Sequence, residues 1–339
     1  MNFQRRWILL AVLIALFALP LLTNEYVQYV LNLVLVYVVV AIGMNFILGY
    51  TGLLAFAHVA FMGIGAYTTG LLMARIGLPF YVAVPAGTIL ATLAGLLVGV
   101  PALRVSGLYL AMVTFAFAEL VRWVLINWRQ VTLGVDGVTV PPARVFGWEV
   151  RGADDVYFVV LPVTLTLIAL AKVIIDSKLG RAFVAVRDCE IAAQCSGIDI
   201  ASTKIISFAL SALFAGAGGA LFALVVAFIS PSSFGLFQLT LVFATVVIGG
   251  ASTLAGSIIG AVLLTGLPEV LRQAQAWQEI IYGFLLVAFV IFAPKGIAGF
   301  LLARSWLPRE LMIRNWREMV GKEDPDTRAE AEMRRDRVA

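Results

Sequence analysis

The sequence predicts an all-α integral membrane protein of about ten transmembrane helices, and three observations support this fold class. Hydrophobic residues make up 62% of the 339 residues, charged residues only 13%, and the mean hydropathy is +1.00. Apolar runs of about 20 residues, enough to cross the hydrocarbon layer of a membrane, recur along residues 1–302. Residues 303–339 hold nine basic and eight acidic side chains. A water-soluble enzyme is therefore excluded.

Charges, prolines and glycine clusters divide the predicted membrane domain, residues 1–302, into ten spans. Six spans come first, at 7–22, 26–48, 52–74, 80–101, 106–127 and 156–175. Four follow the polar segment 176–203, at 204–229, 238–250, 254–272 and 278–294. The pair Gly249 and Gly250 separates the eighth span from the ninth, because the undivided run is too long for one crossing.

Ten spans place both termini on one side of the membrane, together with the segment 176–203. Before the charged tail, nine basic residues lie on that side and five on the other. Because Lys and Arg accumulate on the cytoplasmic side, the sequence predicts cytoplasmic termini and a cytoplasmic 176–203 segment. The longest predicted external loop is 128–155, where turn-forming residues indicate a small lid or a docking surface.

The two ends of the chain carry separate signals. Arg5 and Arg6 precede an apolar run, as in a signal peptide, but no clear site of small residues follows. The sequence leaves open whether residues 1–20 are cleaved. The charged tail 303–339 is predicted to be cytoplasmic, and residues 321–339 contain too few apolar side chains for a core, so we expect them to be mobile.

Two glycine-rich, interrupted stretches, 43–70 and 216–260, occupy comparable places in the two halves of the chain. Transporters with inverted repeats use such segments, since unwound backbone is tolerated at membrane depth only where it lines a cavity. Spans 2–5 begin outside and spans 7–10 begin inside, which predicts an inverted repeat. Small residues such as Gly256 and Gly260 also allow helices to approach closely, so packing is the alternative to ligand contact.

Polar groups within the membrane are expensive and are candidates for function. The sequence has two glycine breaks, Gly49–Gly52 and Gly249–Gly250, and the residues at and near them are predicted to line a pathway: Asn45, Gly49, Tyr50, Thr51, Gly52, His58, Gly249, Gly250, Ser252 and Thr253. His58 fits either a hydrogen-bonded packing role or solute contact. Glu119 with Arg122, and Glu269 with Arg272, have i, i+3 spacing and are predicted to form structural ion pairs, with substrate contact as the alternative.

Several kinds of site are excluded by residue counts. A single histidine permits neither a His-based triad nor a multi-histidine metal site, and no catalytic residue is assigned. Gly321-Lys322 lacks the rest of a phosphate-binding loop. Cys189 and Cys195 lack metal-ligand spacing and are predicted to be reduced thiols. The basic residues form no patch, so nucleic acid is not an expected partner.

The polar segment 177–203 contains the most specific pattern. Apolar and charged residues alternate before Gly197, which predicts one or two short amphipathic helices with a glycine cap. An apolar edge with a few charges is what a soluble partner can grip. A helix lying on lipid has the same pattern.

Several motifs in a fixed order extend this interpretation. They read AIGMNFILGYTG at 41–52, GIGAY at 63–67, GRA at 180–182, VRDCEIAA at 186–193, GGASTLAG at 249–256 and FAPKG at 292–296. Together they resemble the branched-chain amino acid permeases of ATP-binding-cassette importers, over about residues 26–300.

The resemblance implies a multi-pass permease subunit of the bacterial cytoplasmic membrane, surrounded by lipid and passing a branched-chain amino acid or another small polar solute, such as an amide or urea. It implies four partner chains: a homologous second permease, two cytosolic ATPase subunits and an external solute-binding protein. ATP and Mg²⁺ would be used by the ATPases, and this chain would hold no cofactor. The predicted coupling residues are Arg187, Asp188, Glu190, Ala192, Ala193 and Gly197.

Two other classes of function compete with this interpretation. A self-sufficient secondary transporter would need coupling carboxylates deep in the bundle, and only Glu119 approaches that description. An intramembrane enzyme would need a nucleophile with a base or a metal cluster, and the sequence offers neither.

Overall fold

The computed structural model describes residues 17, 19–145, 148–149, 152–270, 283–284 and 296–298. Within these ranges the α-helices are α1 Glu25–Asn45, α2 His58–Leu71, α3 Phe80–Ala102, α4 Leu108–Asn127, α5 Arg129–Thr132, α6 Ala153–Asp176, α7 Lys178–Asp188, α8 Glu190–Cys195, α9 Ile200–Val226, α10 Leu236–Gly249 and α11 Leu254–Val270. Helices α1 and α2 continue as π-helical turns at Phe46–Tyr50 and Leu72–Ile76. Short 3₁₀ turns lie at Leu19–Leu22, Gly134–Asp136 and Pro231–Phe234.

The described residues also form four two-residue strands: β1 Val138–Thr139, β2 Arg144–Val145, β3 Trp148–Glu149 and β4 Phe228–Ile229. Strand β1 pairs antiparallel with β4, with Val138 opposite Ile229, and β2 pairs with β3. The first pair ties the connection after α4 to the segment after α9. Helix α9 begins after α8 and ends just before β4, so its two ends mark the two ends of the helix bundle. We call them the strand end (β1 and β4) and the short-helix end (α7 and α8).

The predominantly helical membrane architecture agrees with the sequence prediction. Six helices of the described part are long and apolar enough to cross a membrane: Glu25–Tyr50, His58–Ile76, Phe80–Ala102, Leu108–Asn127, Ala153–Asp176 and Ile200–Val226. They correspond to the second to seventh predicted spans, and the shorter apolar helices α10 and α11 occupy the places of the eighth and ninth. The first and tenth spans, both termini and the tail 303–339 lie largely or wholly outside the described residues, so their placement stays a prediction.

Helix α2, which corresponds to the third predicted span, begins at His58 and not at the predicted residue 52. The π-helical turn after α1 ends at Tyr50, and two residues later Gly52 has a φ of 72°, a left-handed conformation that glycine adopts readily. Residues 51–57 are not helical, and the Phe56 N–H donates to Thr114 Oγ1 at 2.9 Å. His58 then lies beside Val40, well inside the bundle. Irregular backbone therefore lies inside the bundle, where Thr114 satisfies part of its hydrogen bonding.

Close helix packing explains part of the small-residue pattern. The buried helix α9 crosses α2 at Gly65 and Gly216, where a Cβ on Gly65 would overlap the Gly216 carbonyl oxygen. A Cβ on Gly219 would likewise overlap the Met62 carbonyl oxygen. In the glycine-rich stretch of α9, the packing alternative considered from the sequence is therefore the one observed.

Candidate functional site

The polar segment after α6 folds into the two short helices that its pattern predicts. At the start of α7, the Leu179 N–H donates to Ser177 Oγ at 3.1 Å, which caps the helix. Helix α8 ends where Gly197 adopts φ 79°, and the Ile198 N–H donates back to the Ala193 carbonyl at 3.0 Å. Both short helices thus have defined ends, and the glycine cap lies where expected.

The two faces of this segment differ. Phe183 on α7 is fully buried, and its ring packs edge-on against Phe46 with the centroids 6.3 Å apart. On the exposed side, the side chains of Asp188 and Glu190 are 45% and 46% exposed, and Ile191 is 75% exposed. The bundle therefore holds one face, while the other presents an apolar side chain flanked by acids.

A buried lysine fixes α8 to α9. Lys204 Nζ lies 2.7 Å from Glu190 Oε1, and the Lys204 side chain is only 9% exposed. A cavity of about 350 Å³ lies beside this pair, lined also by Leu103, Gln194 and Asp199. An unpaired buried ammonium is costly, so Glu190 stabilises the packing of α8 on α9 by pairing with Lys204, although its own side chain is nearly half-exposed.

The start of α9 is capped by Asp199. Its carboxylate accepts hydrogen bonds from Ser202 Oγ at 2.6 Å and from the Ala201 N–H at 3.0 Å. These bonds, chiefly that from Ser202, lower the pKa of the Asp199 carboxyl below its ordinary value. The carboxylate that caps α9 is ionised at neutral pH. The stability that its hydrogen bonds contribute to the fold is lost only as the pH falls through the lowered pKa.

The two glycine breaks meet through Asn45. Its side chain is buried and donates to the Thr253 carbonyl at 2.9 Å and to Ser257 Oγ at 2.8 Å. Its Oδ1 accepts from the Ser252 N–H at 2.9 Å. The turn 250–253 between α10 and α11 is therefore held against the end of α1. Asn45 was predicted to line a pathway. In the structure both the nitrogen and the oxygen of its side-chain amide are hydrogen-bonded to residues of this chain.

Arg187 joins the short helices to both breaks. Its Nη1 donates to the Gly49 carbonyl at 3.0 Å and to Ser252 Oγ, which itself donates to the same carbonyl at 2.7 Å. Nε and Nη2 donate to Asp188 Oδ1. We call Gly49, Ser252 and Arg187 the junction. The predicted coupling residue Arg187 is thus turned inward, with a side chain only 12% exposed, whereas its neighbour Asp188 is half-exposed.

Other predicted pathway residues surround the junction. Tyr50 and Thr51 are buried, and Thr51 Oγ1 donates to the Phe46 carbonyl at 2.8 Å. A Cβ on Gly52 would lie 2.6 Å from Arg187 Cγ. The two sequence motifs that contain the breaks therefore lie together at the short-helix end, against Arg187 of the VRDCEIAA motif.

His58 has a packing role in this structure. It is 1% exposed, its Nε2 donates to the Val40 carbonyl at 2.9 Å, and its Nδ1 accepts from Ser211 Oγ at 2.8 Å. A carbonyl can only accept, which fixes this tautomer in the neutral ring. The ring connects α1, α2 and α9, and both nitrogens have partners within the chain.

Gly249 and Gly250 shape the turn after α10. A Cβ on Gly249 would overlap the Gly256 carbonyl oxygen, so α10 and α11 are in close backbone contact. Gly250 has φ 120° and ψ 103°, a conformation that L side chains rarely adopt. Gly296, the last residue of the FAPKG motif, lies beside Gly250 at this turn.

Of the two predicted ion pairs, the structure describes one. Arg122 Nη2 lies 2.8 Å from Glu119 Oε2 on α4, with both side chains more than a third exposed. The side chain of Glu269 and the whole of Arg272 lie outside the described residues. Among the residues whose burial is described, no Asp or Glu is buried.

Three partners of this site escaped the sequence prediction, namely Lys204, Ser211 and Ser257. Each interrupts an apolar run or lies at its edge, which is a usable signal because polar groups are costly within a membrane. The pairing with Glu190, His58 and Asn45 depends on helix packing, which the sequence pattern does not contain.

These features define a class of protein. A bundle of apolar helices contains irregular backbone in its interior, and a two-helix segment links an exposed charged edge to that backbone. This arrangement is typical of a membrane permease subunit.

The comparisons with known proteins name the family. The model for the permease component of branched-chain amino acid transport systems matches residues 26–290. The high-affinity branched-chain amino acid transport system permease protein LivM of Escherichia coli K12 is 33% identical over 319 residues, covering 87% of this chain and 75% of that protein. LivM of Salmonella typhimurium has the same identity and coverage. The chain therefore belongs to this permease family.

A more distant relative is named as the permease of an importer for a different solute. The autoinducer 2 import system permease protein LsrC of Photorhabdus laumondii is 29% identical over 136 residues, which cover 38% of this chain and 41% of that protein. No solved structure matches the chain significantly. The family of permease components is thus shown by sequence.

Proposed function

We propose that the chain works with a second, homologous permease in an ATP-binding-cassette importer of the bacterial inner membrane. The importer would carry branched-chain amino acids, or similarly small polar solutes such as amides or urea, from an external solute-binding protein to the cytoplasm. Two cytosolic ATPase subunits would use ATP and Mg²⁺, and this chain would hold no cofactor. The likeness to LivM supports the solute class. The strand end would face outward and the short-helix end the cytoplasm.

The shape of the short-helix segment carries this proposal. Phe183 and Lys204 fix α7 and α8 to the bundle. Asp188 and Glu190 are nearly half-exposed, and Ile191 is largely exposed. A segment held on one face and accessible on the other can transmit the movement of a soluble motor to the helices behind it. The sequence contains no phosphate-binding loop, so the motor would be another chain.

The order of elements supports the proposed inverted repeat. A long helix, an irregular segment and a helix of 14 residues follow one another twice. The first set is α1, 51–57 and α2, and the second is α9, 227–235 and α10. The first set starts from the strand end and the second from the short-helix end, as two inverted halves would.

The secondary-transporter alternative is not favoured. Ion coupling within the membrane needs a carboxylate inside the bundle. Glu119, the one candidate from the sequence, is paired with Arg122 on the exposed side of α4, and the described part of the chain has no buried acidic residue.

Purification with native partners tests the proposal. The full chain, tagged and extracted from its own membrane in mild detergent, is expected to retain a second permease and an ATPase subunit. The eluate is expected to hydrolyse ATP. Recovery of the chain with no ATP-hydrolysing subunit, at detergent conditions that keep a known importer intact, would contradict it.

Replacement of Gly250 by leucine is expected to lower import at least tenfold at an unchanged membrane level. A leucine would hold strained backbone at φ 120° and would have to fit beside Gly296. Uptake of labelled solute, normalised to the chain in the membrane, measures the effect. Gly266→Leu on α11 is the control, because a Cβ there meets nothing within 4 Å. Normal uptake by Gly250→Leu would show that this turn tolerates bulk.

A further inference from the structure

We propose that Arg187 is a positioning residue that transmits movement of α7 to both chain breaks, and that it does not contact the ATPase. This inference rests on the proposed function, because it concerns how the permease is driven. It differs from the sequence interpretation, in which Arg187, Asp188 and Glu190 share one role. Here the two acids would meet the partner, and the arginine would act within the permease.

The geometry separates Arg187 from its neighbours. Its guanidinium holds Asp188 on one side through Nε and Nη2, and it reaches Gly49 and Ser252 on the other through Nη1. Its stem lies against Gly52, where a Cβ would crowd Cγ. With 12% of the side chain exposed, little of it is left for a partner chain. One side chain therefore connects α7, the end of α1 and the turn 250–253.

Gly49 and Ser252, the two residues to which Arg187 Nη1 donates, lie at a helix end and in a turn. The Gly49 carbonyl is in the last turn of its helix, where no helical N–H follows to pair with it. Ser252 has φ 65° in the turn between α10 and α11. Charge-assisted hydrogen bonds from a planar guanidinium are stronger and better oriented than neutral ones. A displacement of α7 would therefore move both points together.

The test uses the complete importer with its native partner subunits. In Arg187→Met, which keeps an apolar stem and removes the charge, retention of the ATPase and ATP hydrolysis are expected to stay within twofold of the wild type. Import per ATP hydrolysed is expected to fall at least tenfold. The matched control is Arg181→Met on the same helix, since Arg181 is exposed and, within the described part of the chain, donates only to the nearby Asp176 carbonyl.

Two further variants separate transmission from a general loss of structure. Ser252→Gly removes the hydroxyl, and glycine adopts φ 65° without strain, so import per ATP is expected to fall about threefold with a folded chain. Combined with Arg187→Met it is expected to add little, because the two act through one contact. Arg187→Lys, whose ammonium can donate to the Gly49 carbonyl, is expected to restore part of the coupling.

Each outcome decides the inference. If Arg187→Met releases the ATPase, Arg187 is a docking residue and the inference is wrong. Wild-type import per ATP in that variant also overturns it. If Arg187→Met does not accumulate in the membrane, Ser252→Gly decides, and unchanged coupling there overturns the inference. If the wild-type complex itself fails to import, the proposed function fails instead, which the parallel wild-type assay detects.

Discussion

Replacement of Gly49 by alanine is expected to lower import at least tenfold. A Cβ at this position would overlap Asn45 Oδ1 and lie 2.5 Å from the Ser252 nitrogen. The Asn45 amide would have to move, which breaks its bonds to Ser252, Thr253 and Ser257. Each of these hydrogen bonds contributes about 1 kcal/mol, so the local loss is about 3 kcal/mol. The turn 250–253 would then no longer be held against α1.

Uptake of labelled solute in vesicles, at matched levels of the chain, measures this effect. Gly266→Ala is the control, because Gly266 is also helical and a Cβ there meets no atom within 4 Å. The control is expected to transport like the wild type. If Gly49→Ala transports equally well, the contact between the two breaks is dispensable for transport.

Reversal of the charge at Glu190 is expected to abolish both ATPase retention and import. Glu190→Lys places a second ammonium against the buried Lys204, which now lies 2.7 Å from the carboxylate. The local cost is roughly 1–3 kcal/mol, below that of a fully buried pair because Glu190 is half-exposed. The variant also changes the sign of the exposed edge that would meet the ATPase.

A charge swap separates these two effects. Glu190→Lys with Lys204→Glu restores an opposite-charge pair between α8 and α9, and is expected to restore the thermal stability of the purified chain. ATPase retention is expected to stay low, because the exposed edge remains basic at position 190. If the swap restores retention and import together, Glu190 serves only to hold Lys204, and its predicted role as a coupling residue is wrong.

The membrane architecture could be predicted because it depends on local properties of the chain. Helices α1, α3 and α4 coincide with apolar runs within a few residues, since hydrophobic length alone decides a crossing. The short helices α7 and α8 follow from alternating apolar and charged residues with a glycine cap. The start of α2 was missed because His58 lies in an apolar run that continues through the irregular segment 51–57.

The contacts of the site could be predicted only in part. Asn45 stands at a glycine break, where freed backbone needs partners, and this placed it among the candidates. Its partner Ser257 is 212 positions away, and no periodicity in the sequence pairs the two. The direction of Arg187 was missed for a similar reason. An amphipathic pattern says that charges lie opposite apolar residues. Arg187 nevertheless reaches inward, because Gly52 leaves room for its stem and Gly49 and Ser252 accept its hydrogen bonds.

Uptake of labelled leucine into liposomes tests most directly whether this chain is one subunit of an ATP-driven importer. Liposomes with the chain, its second permease and the ATPase subunits, with ATP inside and the solute-binding protein outside, are expected to accumulate leucine. Omission of ATP, of the ATPase or of the binding protein is expected to reduce accumulation to the level of empty liposomes. Accumulation by the chain alone under an ion gradient, with no ATP present, would contradict the proposal and establish a self-sufficient transporter.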